Sequence, residues 1–169
     1  MALNLSDGII KWTKYTENDI LCRRFPVKNW NYIISDINSD VEWANLLKDS
    51  LLIRCYILKQ CSTNEQIAFA YTKQEDLKGK IISLHGGGWG TNPSSKLMFY
   101  RGFILLIEYF LNKGIRVRTS CLESNITGYR FIKSVGFVNY KLSNNYFHFW
   151  INTKRLESNK IRKFLIQRN

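Results

Sequence analysis

The spacing of apolar and polar residues divides the chain into short strands and helices. Residues 8–16 (GIIKWTKYT) alternate with period two, which predicts a strand. Residues 18–38 carry apolar side chains at helical spacing, interrupted at Pro26. Proline removes a backbone donor and clashes with the preceding turn, so two short helices are predicted there. Residues 41–47 (VEWANLL) add a further helical turn or two. Strands are expected at 51–58 and 66–73, with Ile67, Phe69 and Tyr71 on one face and the polar CSTNE as their hairpin loop. A fourth strand, 80–85, ends in Gly86-Gly87-Gly88-Trp89-Gly90, where successive glycines predict a bulge or a splayed backbone.

The second half alternates strand and helix. Asn92-Pro93 is a helix start, with asparagine as N-cap and proline in the first turn. Leu97, Tyr100, Phe103, Ile107 and Phe110 then form one apolar stripe, and Gly114 stops the helix. A strand at 115–121 leads to a helix after Ser124 or Asn125, with Gly128, Phe131, Ile132 and Val135 on one face. Residues 137–142 and 146–151 form a last hairpin around Ser143-Asn144-Asn145, and 154–169 is a basic segment with helical spacing. The resulting order, β-α-α-β-β-β-α-β-α-β-β, predicts an α+β fold with a mixed sheet and flanking helices. We expect one domain over residues 1–152 and a basic C-terminal extension over 153–169.

Composition narrows the function classes. The chain has 169 residues, 45% of them hydrophobic, which suffices for a buried core. Charged residues interrupt every apolar run, so no membrane span is expected. The start MALNLSDGII lacks the features of a secretory signal, so a cytoplasmic protein is expected. Four scattered cysteines and two histidines argue against a structural metal site and for reduced thiols. The formal net charge of +12 favours anionic ligands and partners over cationic ones, although an AT-rich genome, which enriches Lys, Asn and Ile, would give the same bias.

The stretch VRTSCLESNITGYRFIKSVGF, residues 117–137, places Gly136 eleven residues after Asn125 and closes on Gly136-Phe137. It resembles the C-terminal motif of the GNAT (Gcn5-related) N-acetyltransferases, roughly N-x-x-A, an aromatic or apolar pair, then G-F. The element order also resembles that fold over essentially the whole chain. The resemblance implies a mostly antiparallel central sheet with flanking helices, acetyl-CoA as co-substrate and an amine-bearing acceptor. A monomer or homodimer is expected.

The resemblance also implies where the chemistry lies. The pantetheine arm would run along the fourth strand, where Gly86 and Gly87 allow close backbone approach beside His85. The pyrophosphate would sit at the helix start near Pro93, within reach of Ser94, Ser95 and Lys96. The usual Q/R-x-x-G-x-G/A loop is replaced here by TNPSSKLMFYRG, and the two serines would equally serve as helix caps. Asn125 matches the family's asparagine after the fifth strand, and it is also a good N-cap. The family's frequent acid, a tyrosine four residues before the terminal glycine, is replaced by Ile132, with Tyr129 one turn earlier. His85 is the first candidate for the base, ahead of Glu123 and of Ser120 or Cys121. HGGGW also matches an esterase oxyanion loop, but no G-x-S-x-G nucleophile elbow accompanies it. A non-catalytic module that binds CoA or nucleic acid through its basic surface is the alternative reading.

Overall fold

The computed structural model describes residues 5–14, 53–88 and 93–166. The helices expected within 18–38 and 41–47, and the Asn92 cap, lie outside the described residues. The described elements are β1 (Leu5–Ser6), β2 (Ile10–Lys14), β3 (Ile53–Gln60), β4 (Gln66–Gln74), β5 (Ile81–Gly88), α1 (Pro93–Asn112), β6 (Arg116–Leu122), α2 (Ile126–Ser134), β7 (Val138–Ser143), β8 (Tyr146–Ile151), α3 (Thr153–Glu157) and α4 (Lys160–Ile166). The strands form one sheet in the order β1-β2-β3-β4-β5-β6-β8-β7. β5 and β6 pair in parallel, while β1–β2, β2–β3, β3–β4, β6–β8 and β7–β8 are antiparallel. The molecule is therefore a mixed, mostly antiparallel α+β fold.

Two compact units make up the chain, residues 1–73 with 85–102 and residues 74–84 with 103–169. In the first, the strand expected over 8–16 is β2, Ile10–Lys14, and a tight turn joins it to the short β1 before it. Gly8 takes a φ of +88°, and Asp7 accepts hydrogen bonds from the N–H groups of Ile9 and Ile10, both at 3.0 Å. Asp7 also pairs with Arg101 of α1. Trp12 stands opposite Leu58 in the β2–β3 register, and both are fully buried. Trp12 Nε1 donates to the Gly102 carbonyl at 2.7 Å, and the side chain of Leu58 fills the space a Cβ on Gly102 would need. Gly102 thus lets α1 approach the sheet closely.

In the second unit, Val117, Phe149 and Ile151 are buried with Ile107, Phe110 and Val135. The α1 stripe is displaced from the sequence expectation. Leu97 is exposed and Tyr100 half-buried, while Ile104 and Leu106 join Phe103, Ile107 and Phe110 inside. A helix buried along several flanks over its later turns hides more than one stripe. The turn between β7 and β8 falls where expected, with Asn144 and Asn145 at φ of +51° and +62°. Such values are those of a two-residue hairpin turn, which asparagine tolerates. Leu156 and Leu165 are buried, Asn159 Nδ2 donates to the Ser134 carbonyl at 2.7 Å, and Arg162 pairs with Glu108.

Candidate functional site

The sequence-predicted residues gather in two places, one in each unit. In the first unit, β5 runs as a strand through Gly88 without the expected bulge, and its parallel pairing with β6 covers Ile81–Ser83 alone, as the expected splay requires. Glycine enters extended backbone at an entropic cost, which pairing beside β4 offsets. His85 is half-buried, and its ring stacks on Tyr71 with centroids 5.0 Å apart and planes 18° from parallel. Strand periodicity assigns Tyr71 only a place on a strand face. A strand pair that sets an aromatic beside the histidine was the signal to look for. Gly86 is half-buried and Gly87 buried, so the strand backbone there carries no side chain.

In the same unit α1 opens at Pro93, so Ser94 and Ser95 occupy its first turn and Lys96 follows, exposed. The placement of the two serine hydroxyls lies outside the described residues. The first turn holds no acidic residue. Its N–H groups have no intrahelical acceptor, which makes the helix start favourable to an anion.

In the second unit, Glu123, Asn125 and Tyr129 come together at the junction of β6 and α2. The N–H of Glu123 donates to the Asn145 carbonyl at 2.7 Å, and its side chain is exposed. Asn125 is the N-cap of α2, its Oδ1 accepting from the Gly128 N–H at 2.8 Å. The Asn125 carbonyl accepts from the Tyr129 N–H at 2.9 Å. The Tyr129 ring packs on Phe147 and Phe149 of β8, with centroids 4.9 and 5.6 Å away. Ile132 is buried. Burial pushes the Cys121 thiol up to about 11, so it is neutral near pH 7 and a poor base or nucleophile. Ser120 is half-buried. Among the described residues no group of three metal-ligating side chains occurs, and no helix is long and apolar enough to cross a membrane.

No family model and no curated protein matches the chain. Solved structures do. Apo FdhC, a nucleotide-linked sugar GNAT, is 14% identical and aligns over 97% of this chain and 98% of its own, with a TM-score of 0.70. The aminoglycoside acetyltransferase AAC(6')-Ib in complex with coenzyme A is 13% identical over 88% of this chain and 97% of its own, with a TM-score of 0.68. A GCN5-related N-acetyltransferase from Brucella melitensis is 10% identical over 95% of this chain and 82% of its own, also with a TM-score of 0.68. The likeness is one of fold, and it extends over most of the chain.

Proposed function

Because the chain carries the fold of the GNAT acetyltransferases, we propose that it is an acetyl-CoA-dependent N-acetyltransferase. The observation that carries this reading is a fold match over most of both chains with an acetyltransferase holding coenzyme A. Local features agree with it. The β5 backbone at Gly86 and Gly87 offers a strand edge without side chains, suited to a pantetheine arm that pairs as an added strand does. The α1 start offers its N–H groups, Ser94, Ser95 and Lys96 to a pyrophosphate, with no carboxylate in the first turn to repel it. Asn125 shapes the β6–α2 junction as the cap of α2, at the position that matches the family's asparagine.

The reaction would be direct. The amine nitrogen attacks the thioester carbonyl carbon, forming the C–N bond, and the C–S bond then breaks to release CoA thiolate. His85 takes the amine proton, its ring plane set by the stack on Tyr71. With Ile132 at the position of the family's tyrosine, the thiolate takes its proton from Tyr129 or from solvent, and Tyr129→Phe separates the two. Glu123 is the second candidate for the base. The net charge of +12 favours a peptide amine, or an amine on an anionic small molecule, over a polyamine.

The test has two stages. Acetyl-CoA should raise the unfolding midpoint by mass action, and less so in Lys96→Ala. Release of free CoA thiol is then followed over a panel of amines. His85→Ala should lower kcat by about 10²–10⁴, the usual contribution of a general base. No thermal shift at millimolar acetyl-CoA would sink the reading. A shift without turnover on any amine, including peptides, would favour a non-catalytic CoA-binding module, which the buried Ile132 supports.

A further inference from the structure

The strands β6, β8 and β7 present two unlike faces. One holds Val117, Thr119, Cys121, Phe149 and Ile151, all buried, with Tyr129 of α2 packed on Phe147 and Phe149. The register fixes the other. Arg118 stands beside Trp150 and Val138, Ser120 beside His148 and Lys141, and Leu122 beside Tyr146 and Ser143. Arg116, Arg118 and Lys141 are exposed, Trp150 is 36% exposed and Tyr140 50% exposed. Tyr140 is the extra residue where the β7–β8 register shifts, and its ring comes within 6.3 Å of the His148 ring. His148 Nε2 in turn lies 3.0 Å from Ser143 Oγ. The bulge therefore adds an aromatic ring to this face.

The charge on this ribbon has one sign. No Asp or Glu occurs in β6, β7 or β8. Among the described residues, no carboxylate pairs with Arg116, Arg118 or Lys141. We propose that this face of β6, β8 and β7 binds single-stranded nucleic acid, with Trp150 and Tyr140 stacking on bases and Arg116, Arg118 and Lys141 holding phosphates. The proposal is independent of the acetyltransferase reading. Alternate residues on a strand are about 6.5 Å apart, a step that lets rings and cations on one face engage successive nucleotides of an extended strand. Flat rings interleaved with unpaired cations suit exposed base faces joined by phosphates. A duplex hides its base faces and would meet only the cations.

The experiment is anisotropy of labelled oligo(U) and oligo(dT), with a duplex of the same length, over a range of salt. Both single strands should bind more tightly than the duplex. Arg116→Ala with Arg118→Ala should flatten the log K against log salt slope by about 1.4, or 0.7 for each lost contact. Trp150→Ala should weaken binding roughly tenfold without changing that slope, and Trp150→Phe should recover most of the loss. The exposed pair Lys160→Ala with Lys163→Ala in α4 is the control and should do neither. If Trp150→Ala unfolds, the exposed Arg118→Glu carries the test by abolishing binding. Three results would overturn the proposal: no binding at about 50 mM salt, loss of binding in the α4 variant instead, or a dimer that Trp150→Ala dissolves with no oligonucleotide bound. The last would make the face a contact with a second copy.

Discussion

Gly128 and Asn125 should behave as one unit in a double-mutant cycle. The Asn125 side chain accepts the Gly128 N–H at 2.8 Å, and a Cβ on Gly128 would lie 2.6 Å from Asn125 Nδ2 and 2.9 Å from its Cγ. Alanine at 128 must therefore push the asparagine away and break the cap. Loss of an N-cap costs about 1 kcal/mol. Replacing glycine by alanine in a helix returns about 1 kcal/mol. Gly128→Ala should thus be close to neutral in the wild-type background. Asn125→Ala alone should cost about 1 kcal/mol, since α2 has only nine residues and little propensity to spare. With Asn125 already truncated nothing obstructs the new methyl, and Gly128→Ala should then stabilise by about 1 kcal/mol. The coupling is therefore about 1 kcal/mol, read by urea unfolding of the four proteins followed by circular dichroism. Equal effects of Gly128→Ala in both backgrounds, within about 0.3 kcal/mol, would refute the reasoning.

Other outcomes follow from the packing and charge. Gly102→Ala should destabilise by about 1–3 kcal/mol, since Leu58 already fills the methyl's place and is buried with nowhere to move, less about 1 kcal/mol of helix propensity; the urea midpoint reads it. Burial pushes the Asp7 carboxyl up, but the Ile10 N–H, Arg101 and the Ile9 N–H outweigh it and hold it below its ordinary value. Its contribution is therefore complete above the unfolded pKa and lost as pH falls through the lower folded one. Asp7→Asn should flatten that acid limb and lower stability near pH 7, as denaturation at graded pH would measure. Cys121, buried with a thiol pushed up to about 11, should resist alkylation at pH 8 in the native protein and react once unfolded. Of the two cysteines described, the half-buried Cys61 should label before Cys121 in peptide-resolved mass spectrometry.

Local chemistry made much of this fold legible. Asn144-Asn145 announced the β7–β8 turn, Gly114 and Gly136 the helix ends, and Asn125 its own cap, because each needs only its neighbours in sequence. What the sequence hid depends on distant partners. Glycines 86–88 read as a bulge or a splay; the strand runs unbroken to Gly88, while its pairing with β6 covers only Ile81–Ser83. The burial of Ile104 and Leu106 depends on what packs beside α1, which one helix's periodicity does not encode. The ring under His85 required knowing that β4 lies beside β5, and the aromatic face of β8 required its register with β6 and β7. The junction at Asn125 was readable because motif and cap coincide in one residue.

The two ends of the sheet bear on how the protein behaves at high concentration. β1, at one end, is two residues long, too short to template the strand of another molecule. β7, at the other, is kinked by the extra residue Tyr140 and carries exposed Lys141 beside it. Neither offers the long, flat, uncharged rim along which sheets fuse into fibrils. Crowded copies, each with a charge of +12, should stay dispersed even where the chain's aromatic content would drive others out of solution.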